Sequence, residues 1–172
     1  MTIHPKIVAF FAVVMICISS KFTYAANEGI DSFRGVKWGD SVNNLGASAK
    51  HESFKNGANI YTRINDKLSL GRAGLNKILY YFWKDKLISI SILADQSQFE
   101  DLKEVALAKF GRNFSFESSS GKYLWNFYNT TVVLRNKNES YFSELAIYSN
   151  KVAKEYKSTT LEEAFIGARE DF

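Results

Sequence analysis

The chain has 172 residues, 46% hydrophobic and 23% charged, enough for one globular domain with a core of its own. Its net charge is +4, and the two lysines of the first 25 residues, Lys6 and Lys21, account for half of it. A chain so nearly balanced lacks the basic footprint of a nucleic-acid binder.

Residues 1–25 read as a secretory signal peptide. A short polar start with Lys6 precedes an almost wholly apolar run from Ile7 to Ile18, and Thr23 and Ala25 stand at −3 and −1 of a cleavage site. The apolar run is shorter than the roughly 20 residues of a membrane span, so no stable span is expected after cleavage. An uncleaved anchor is the alternative. Cleavage would leave 147 of the 172 residues, without Cys, Met or Pro and with one histidine, His51. That inventory removes thiol nucleophiles, disulfides, thiolate metal sites and multi-histidine zinc sites. No cofactor, metal site or catalytic residue is expected.

Residues 26–157 are expected to form the domain. It opens with Phe33-Arg34-Gly35-Val36-Lys37-Trp38-Gly39-Asp40, apolar anchors separated by glycines. Asp40 or Ser41 would cap a short helix through about Ala49, weakened by Asn43, Asn44 and Gly46. Asn59 to Ile64 alternates as a strand, and Asn65-Asp66-Lys67 is a turn. Gly71-Arg72-Ala73-Gly74 is no phosphate loop, lacking the Lys and the long helix that would follow one.

Residues 75–95 are the densest apolar run after the leader and read as a β-hairpin. A three-residue loop at Lys84-Asp85-Lys86 would pair Phe82 with Ile88, Tyr80 with Ile90 and Ile78 with Ile92 on one apolar face. The other face would carry Leu79, Tyr81 and Trp83 beside Leu87, Ser89, Ser91 and Leu93. Two uses of that face stand side by side: a surface half covered by another part of the chain, or a binding surface built on Tyr and Trp.

Ser97-Gln98-Phe99-Glu100 has the pattern of a capping box. The helix after it would bring Phe99, Leu102, Ala106 and Phe110 onto one stripe, with Val105 beside them, and stop at Gly111. It should cover the Ile face of the hairpin. A Ser-rich loop over 112–121 leads to three strands, Lys122–Tyr128, Thr131–Asn136 and Tyr141–Ser149, with turns at Asn129-Thr130 and Lys137-Asn138. Residues 158–172 form a polar tail or a peripheral helix, with Leu161, Ala164, Phe165 and Ala168 at helical spacing.

Several of these segments together resemble an uncharacterised family of small exported bacterial proteins that carry a signal peptide followed by an F-x-G-x-x-W-G-like segment. The likeness continues at Tyr61-Thr62-Arg63, Asn65 to Leu68, Tyr80-Tyr81-Phe82, Leu102-Lys103 and Phe110-Gly111, although Asp85 stands where a turn glycine is common. The resemblance implies export and a fold type, and it transfers no site residue.

The fold expected is a single α+β domain: an antiparallel sheet of five or six strands packed on one main helix, with a peripheral C-terminal helix. The function expected is a non-enzymatic binding protein of the bacterial cell envelope, exported and periplasmic or extracellular. Its partner would be an envelope protein or ligand, and Trp38, Tyr81, Trp83 and Trp125 are the candidate contacts. An inhibitor or immunity protein and an assembly factor both fall within that description. The alternative class is a carboxylate-based hydrolase acting on glycan or peptidoglycan, with its acids drawn from Asp40, Asp66, Asp85 and Asp95. Each of those four falls at a turn or cap, where Asp serves the backbone. His51, in K-H-E-S, reads as an exposed polar residue near a helix end.

Overall fold

A single antiparallel sheet is the frame of this molecule. The computed structural model describes residues 29–137 and 141–170, with side chains placed for 29–136 and 141–160. The signal-peptide segment and part of the expected Lys137-Asn138 turn lie outside the described residues. Two short strands, β1 (Ser32–Phe33) and β2 (Val36–Lys37), form a hairpin, and a 3-10 turn follows at Val42–Leu45. A first meander consists of β3 (Ala49–Lys55), β4 (Ala58–Arg63), β7 (Lys77–Trp83) and β8 (Lys86–Asp95). The small hairpin β5 (Ser69–Leu70) and β6 (Ala73–Gly74) interrupts it. Helix α1 (Phe99–Phe110) leads to a second meander of β9 (Ser115–Glu117), β10 (Lys122–Asn126), β11 (Thr130–Lys137) and β12 (Phe142–Ser149). Helix α2 (Asn150–Glu170) ends the described chain.

The strand order β3-β4-β7-β8-β12-β11-β10-β9 corrects the expected α+β sheet of five or six strands on one main helix. The sheet has eight strands and the structure is mostly β, with one helix on each face of the sheet. The extra strands lie at the edges. Residues 49–55, A-K-H-E-S-F-K, and 115–117, S-F-E, have no clean apolar alternation. They become strands by pairing with β4 and β10, a contribution that local pattern does not carry. The expected helix after Asp40 shrinks to the 3-10 turn, because Ala49 is already committed to β3.

The hairpin of β7 and β8 turns on two residues rather than three. Lys84 and Asp85 both adopt left-handed conformations, φ 46° and 59°, and Trp83 pairs with Lys86. This is the type I′ geometry that matches the twist of paired strands. The register then shifts between Tyr81 and Phe82, so Ile78–Ile92 and Tyr80–Ile90 pair while Phe82 meets Leu87 rather than Ile88. Ile88 is the extra residue of the bulge. Leu87 therefore enters the main core with Phe82, and Ile88 joins Trp83 on the opposite face, the reverse of the sequence expectation.

The core lies between α1 and one face of the sheet. Ile78, Tyr80, Ile90, Ile92, Leu145 and Ile147 are all essentially closed to solvent there, as are Leu102 and Ala106 of α1. Each such aliphatic side chain contributes about 1.5–3 kcal/mol on burial. Helix α1 ends at Gly111, whose N–H donates to the Leu107 carbonyl at 2.9 Å. Its start differs from expectation. No capping box forms, because Gln96–Gln98 make a 3-10 turn and the Gln98 side chain instead accepts from the Gly74 N–H at 2.8 Å.

The Phe33–Asp40 segment is a set of structural staples. The Arg34-Gly35 turn, both residues at positive φ, brings Phe33 opposite Val36, which is fully buried. The Arg34 guanidinium binds Asp66 at 2.7 Å and the Lys67 and Ser69 carbonyls at 2.6 and 2.9 Å. Asp66 also accepts the Tyr80 hydroxyl at 2.6 Å. Gly39 N–H donates to the Leu87 carbonyl at 3.0 Å, Leu87 N–H to that of Asp40 at 2.9 Å, and the Asp85 carboxylate accepts the Val42 N–H at 2.9 Å. The N-terminal segment is thus tied to the central hairpin.

Candidate functional site

Strand alternation gives β8 and β12 a second face, and its chemistry is different. Opposite Ile90, Ile92, Leu145 and Ile147 lie Ser89, Ser91, Glu144, Ala146 and Tyr148. Tyr81 of β7 and Arg135 of β11 extend this surface on either side. The first turns of α2 stand over one end of it, where Val152 packs with Trp83 and Ile88. Two further contacts hold the helix down. The Tyr156 hydroxyl donates to the Asn56 carbonyl at 2.6 Å, and Lys86 pairs with Glu155 at 2.7 Å. Between α2, the β3–β4 turn and the sheet lies a groove of about 420 Å³.

At its floor is a charged cluster. Glu144 is 4% exposed, and its carboxylate receives Arg135 Nε at 2.8 Å and Nη2 at 2.6 Å on one oxygen. The Ser91 hydroxyl donates to the other oxygen. Ser91 and Glu144 are diagonal neighbours across the β8–β12 pair, and Arg135 lies directly opposite Glu144 on β11. A carboxylate this buried needs such partners to remain charged. Burial, and after it the charge of Glu144, pushes the phenols of Tyr81 and Tyr148 above their ordinary value. Both stay protonated at neutral pH, ready as hydrogen-bond donors. Lys55 and Lys157 also line the groove, and neither has an ion pair among the described residues.

The four aromatic residues expected as contacts fall in different places. Tyr81 lines the groove, half-buried. Trp83 lies two residues further along the same strand but is 8% exposed, edge-on to Tyr156 at 5.6 Å, and serves as the anchor of α2. Trp125 is fully buried on the α1 side, packed on Phe110 and Phe114, and its Nε1 donates to the Gly111 carbonyl at 2.9 Å. Trp38 is half-buried against the main core, with Nε1 donating to the Ile30 carbonyl at 2.6 Å. Only Tyr81 and Trp83 of this set come together.

Sequence reasoning placed Ser91 on the Tyr81 face but passed over Arg135, Glu144 and Tyr148. One signal was present: Glu144 is a lone carboxylate in the otherwise apolar and hydroxylic run Phe142–Ser149.

The turn carboxylates are engaged elsewhere. Asp40 accepts the Lys37 N–H at 2.9 Å, a bond that holds its carboxyl below the usual range, with Asn44 adding to the effect. Asp85 is lowered likewise by Ser41 and by the Val42 N–H. Asp95 accepts Asn76 Nδ2 at 3.0 Å. His51 is exposed on edge strand β3 rather than near a helix end, 3.2 Å from the Asn59 side-chain oxygen. Among the described residues no cluster of three or more His, Cys, Asp or Glu is placed to hold a metal ion, and no helix is long and apolar enough to cross a membrane.

Fold and site together define a class: a two-meander antiparallel sheet with one helix on each face and a groove beside the second helix. The chain matches no family model, no curated protein and no solved structure.

Proposed function

We propose that this chain is a non-enzymatic binding protein of the bacterial cell envelope, exported to the periplasm, and that the groove beside α2 is its ligand-contacting surface. One observation carries the reading. The groove joins two half-buried tyrosines, whose hydroxyls stay protonated, to two lysines with no ion pair among the described residues. Aromatic area with a polar tip contributes strongly at interfaces, and lysines without partners favour an acidic group on the bound molecule. The export element of the proposal rests on the leader-like sequence of residues 1–25 and on the resemblance carried by Phe33–Asp40.

The test is capture from an envelope extract by the native protein and by a Tyr81→Ala/Lys157→Glu variant shown by circular dichroism to be folded. Retention by the native form and loss by the variant is the expected result. Equal retention by both would remove the groove from the proposal. Turnover of peptidoglycan by the native protein, abolished by the separate replacement of two carboxylates among Asp40, Asp66, Asp85 and Asp95 with the fold intact, would favour the hydrolase alternative instead.

A further inference from the structure

We propose that the loop joining β4 to β5 docks this chain, peripherally, on the surface of an anionic phospholipid bilayer. Two aliphatic side chains of that loop stand in water: Ile64 is 68% exposed and Leu68 51%. They line one shallow depression together with Lys50, Arg63 and Lys77, at the end of β4 and β7 away from the Lys84-Asp85 turn. Lys67, between them in the chain, is exposed as well. The backbone explains how they come to be uncovered. Arg63 is the last residue of β4, and the next N–H, that of Ile64, still donates to the Ser48 carbonyl at 2.9 Å. The Asp66 N–H closes the turn on the Arg63 carbonyl at 3.1 Å, and the Leu75 N–H holds the Leu68 carbonyl at 3.1 Å. The loop is therefore pinned at both ends while its aliphatic groups have nothing packed over them.

The acids of the depression are already engaged. Asp66 is held by Arg34 and the Tyr80 hydroxyl, and Glu52 by Lys77 at 2.7 Å, Lys50 at 3.6 Å and the Thr62 hydroxyl. Against these two carboxylates stand Arg34, Lys50, Arg63, Lys67 and Lys77, so the rim is positive. Lys67 has no ion pair among the described residues, and Arg63 lies over the Tyr80 ring at 5.6 Å rather than on a carboxylate. The side-chain types select the occupant. Protein interfaces draw their contact energy from Tyr, Trp and Arg and are depleted in Lys, whereas residues 63–68 hold no aromatic ring. Aliphatic groups ringed by lysines suit a bilayer boundary: the alkyl ends enter its acyl edge, the lysine stems lie along it, and the ammonium groups stay at the phosphates. Two such side chains and a positive rim give reversible attachment rather than a span. The patch lies at the opposite end of β7 from Trp83 and does not rest on the reading of the groove.

Residues 7–18 are themselves apolar, so a local readout is needed in place of bulk attachment to vesicles. In the full chain carrying Cys17→Ser, a polarity-sensitive fluorophore on Ile64→Cys reports the surroundings of the loop. The same label on Tyr128→Cys, 87% exposed in the turn between β10 and β11, is the control. With vesicles of phosphatidylcholine containing about one part in three of phosphatidylglycerol, the label at 64 should shift to the blue saturably, and the label at 128 should not. Phosphatidylcholine alone should require roughly ten-fold more lipid. Lys50→Glu/Lys67→Glu should raise the lipid concentration at half response by roughly ten-fold or more, and Leu68→Asp by roughly ten-fold, each variant first shown by circular dichroism to be folded. Should Leu68→Asp not fold, the two lysines at their exposed positions still decide. No shift at position 64 with either vesicle would overturn the proposal, as would a response indifferent to phosphatidylglycerol and to the lysines. A shift produced by a lipid-free envelope extract and not by vesicles would give the loop to a protein partner and equally overturn it.

Discussion

Strands β8 and β12 show two kinds of surface made by the same residues' backbone. On the α1 side, Ile90, Ile92, Leu145 and Ile147 are matched by volume, and what holds them is the exclusion of water. On the α2 side, Ser91, Glu144 and Tyr148 are matched by charge and hydrogen bonding, and the groove above them leaves room for another molecule. Because side chains alternate along a strand, the central pair builds a core and a recognition surface at once. The two faces should therefore respond to different perturbations, the first to lost volume and the second to lost partners.

The largest expected effect tests the apolar side. Trp125→Ala removes a fully buried ring and its bond to the Gly111 carbonyl, and should cost about 3–5 kcal/mol in urea unfolding. Arg135→Ala tests the polar side. It leaves Glu144 without its guanidinium and should cost about 1–3 kcal/mol, the exposure of Arg135 moderating the loss. Arg135→Met combined with Glu144→Leu should recover most of that loss. A double variant as unstable as Arg135→Ala alone would show that the face is held by shape rather than by charge. Tyr156→Phe removes one bond between α2 and the β3–β4 turn, and should cost about 0.5–1.5 kcal/mol in the same measurement.

The smallest effect is on acid stability. Lys77 and then Thr62 lower the Glu52 carboxyl from 4.5 to about 2. The unfolded chain therefore takes up this proton more readily than the folded one. The contribution of Glu52 is present in full above pH 4.5 and is lost as pH falls toward 2. Glu52→Gln should flatten that part of the stability profile, and an unchanged acid limb would mean that other carboxylates, Asp40 and Asp85 among them, set it.

Much of the centre of the fold was legible from local pattern. The β7–β8 hairpin, the Phe99–Phe110 helix with its stop at Gly111, and the three strands of the second half all follow from periodicity and turn chemistry. What was misread involved a competing choice. The turn at Lys84-Asp85 took two residues where three also fit, and a bulge at Ile88 absorbed the difference. The Ser97–Glu100 pattern lost its cap to a contact between Gln98 and Gly74, residues distant in sequence.

The sequence by itself determined the element types wherever an apolar stripe or an alternation was strong, because those patterns state which side of a segment must leave water. Tertiary structure alone decided that polar segments 49–55 and 115–117 would close the two edges of the sheet, since backbone pairing stabilises them whatever their side chains. It also decided that the ends of the two meanders would meet, setting Glu144 of β12 against Ser91 of β8 and Arg135 of β11. Glu144 stands out in its run but nothing local names its partners, and only strand register, fixed by burial of the opposite face, brings the three residues' charges and hydroxyls together.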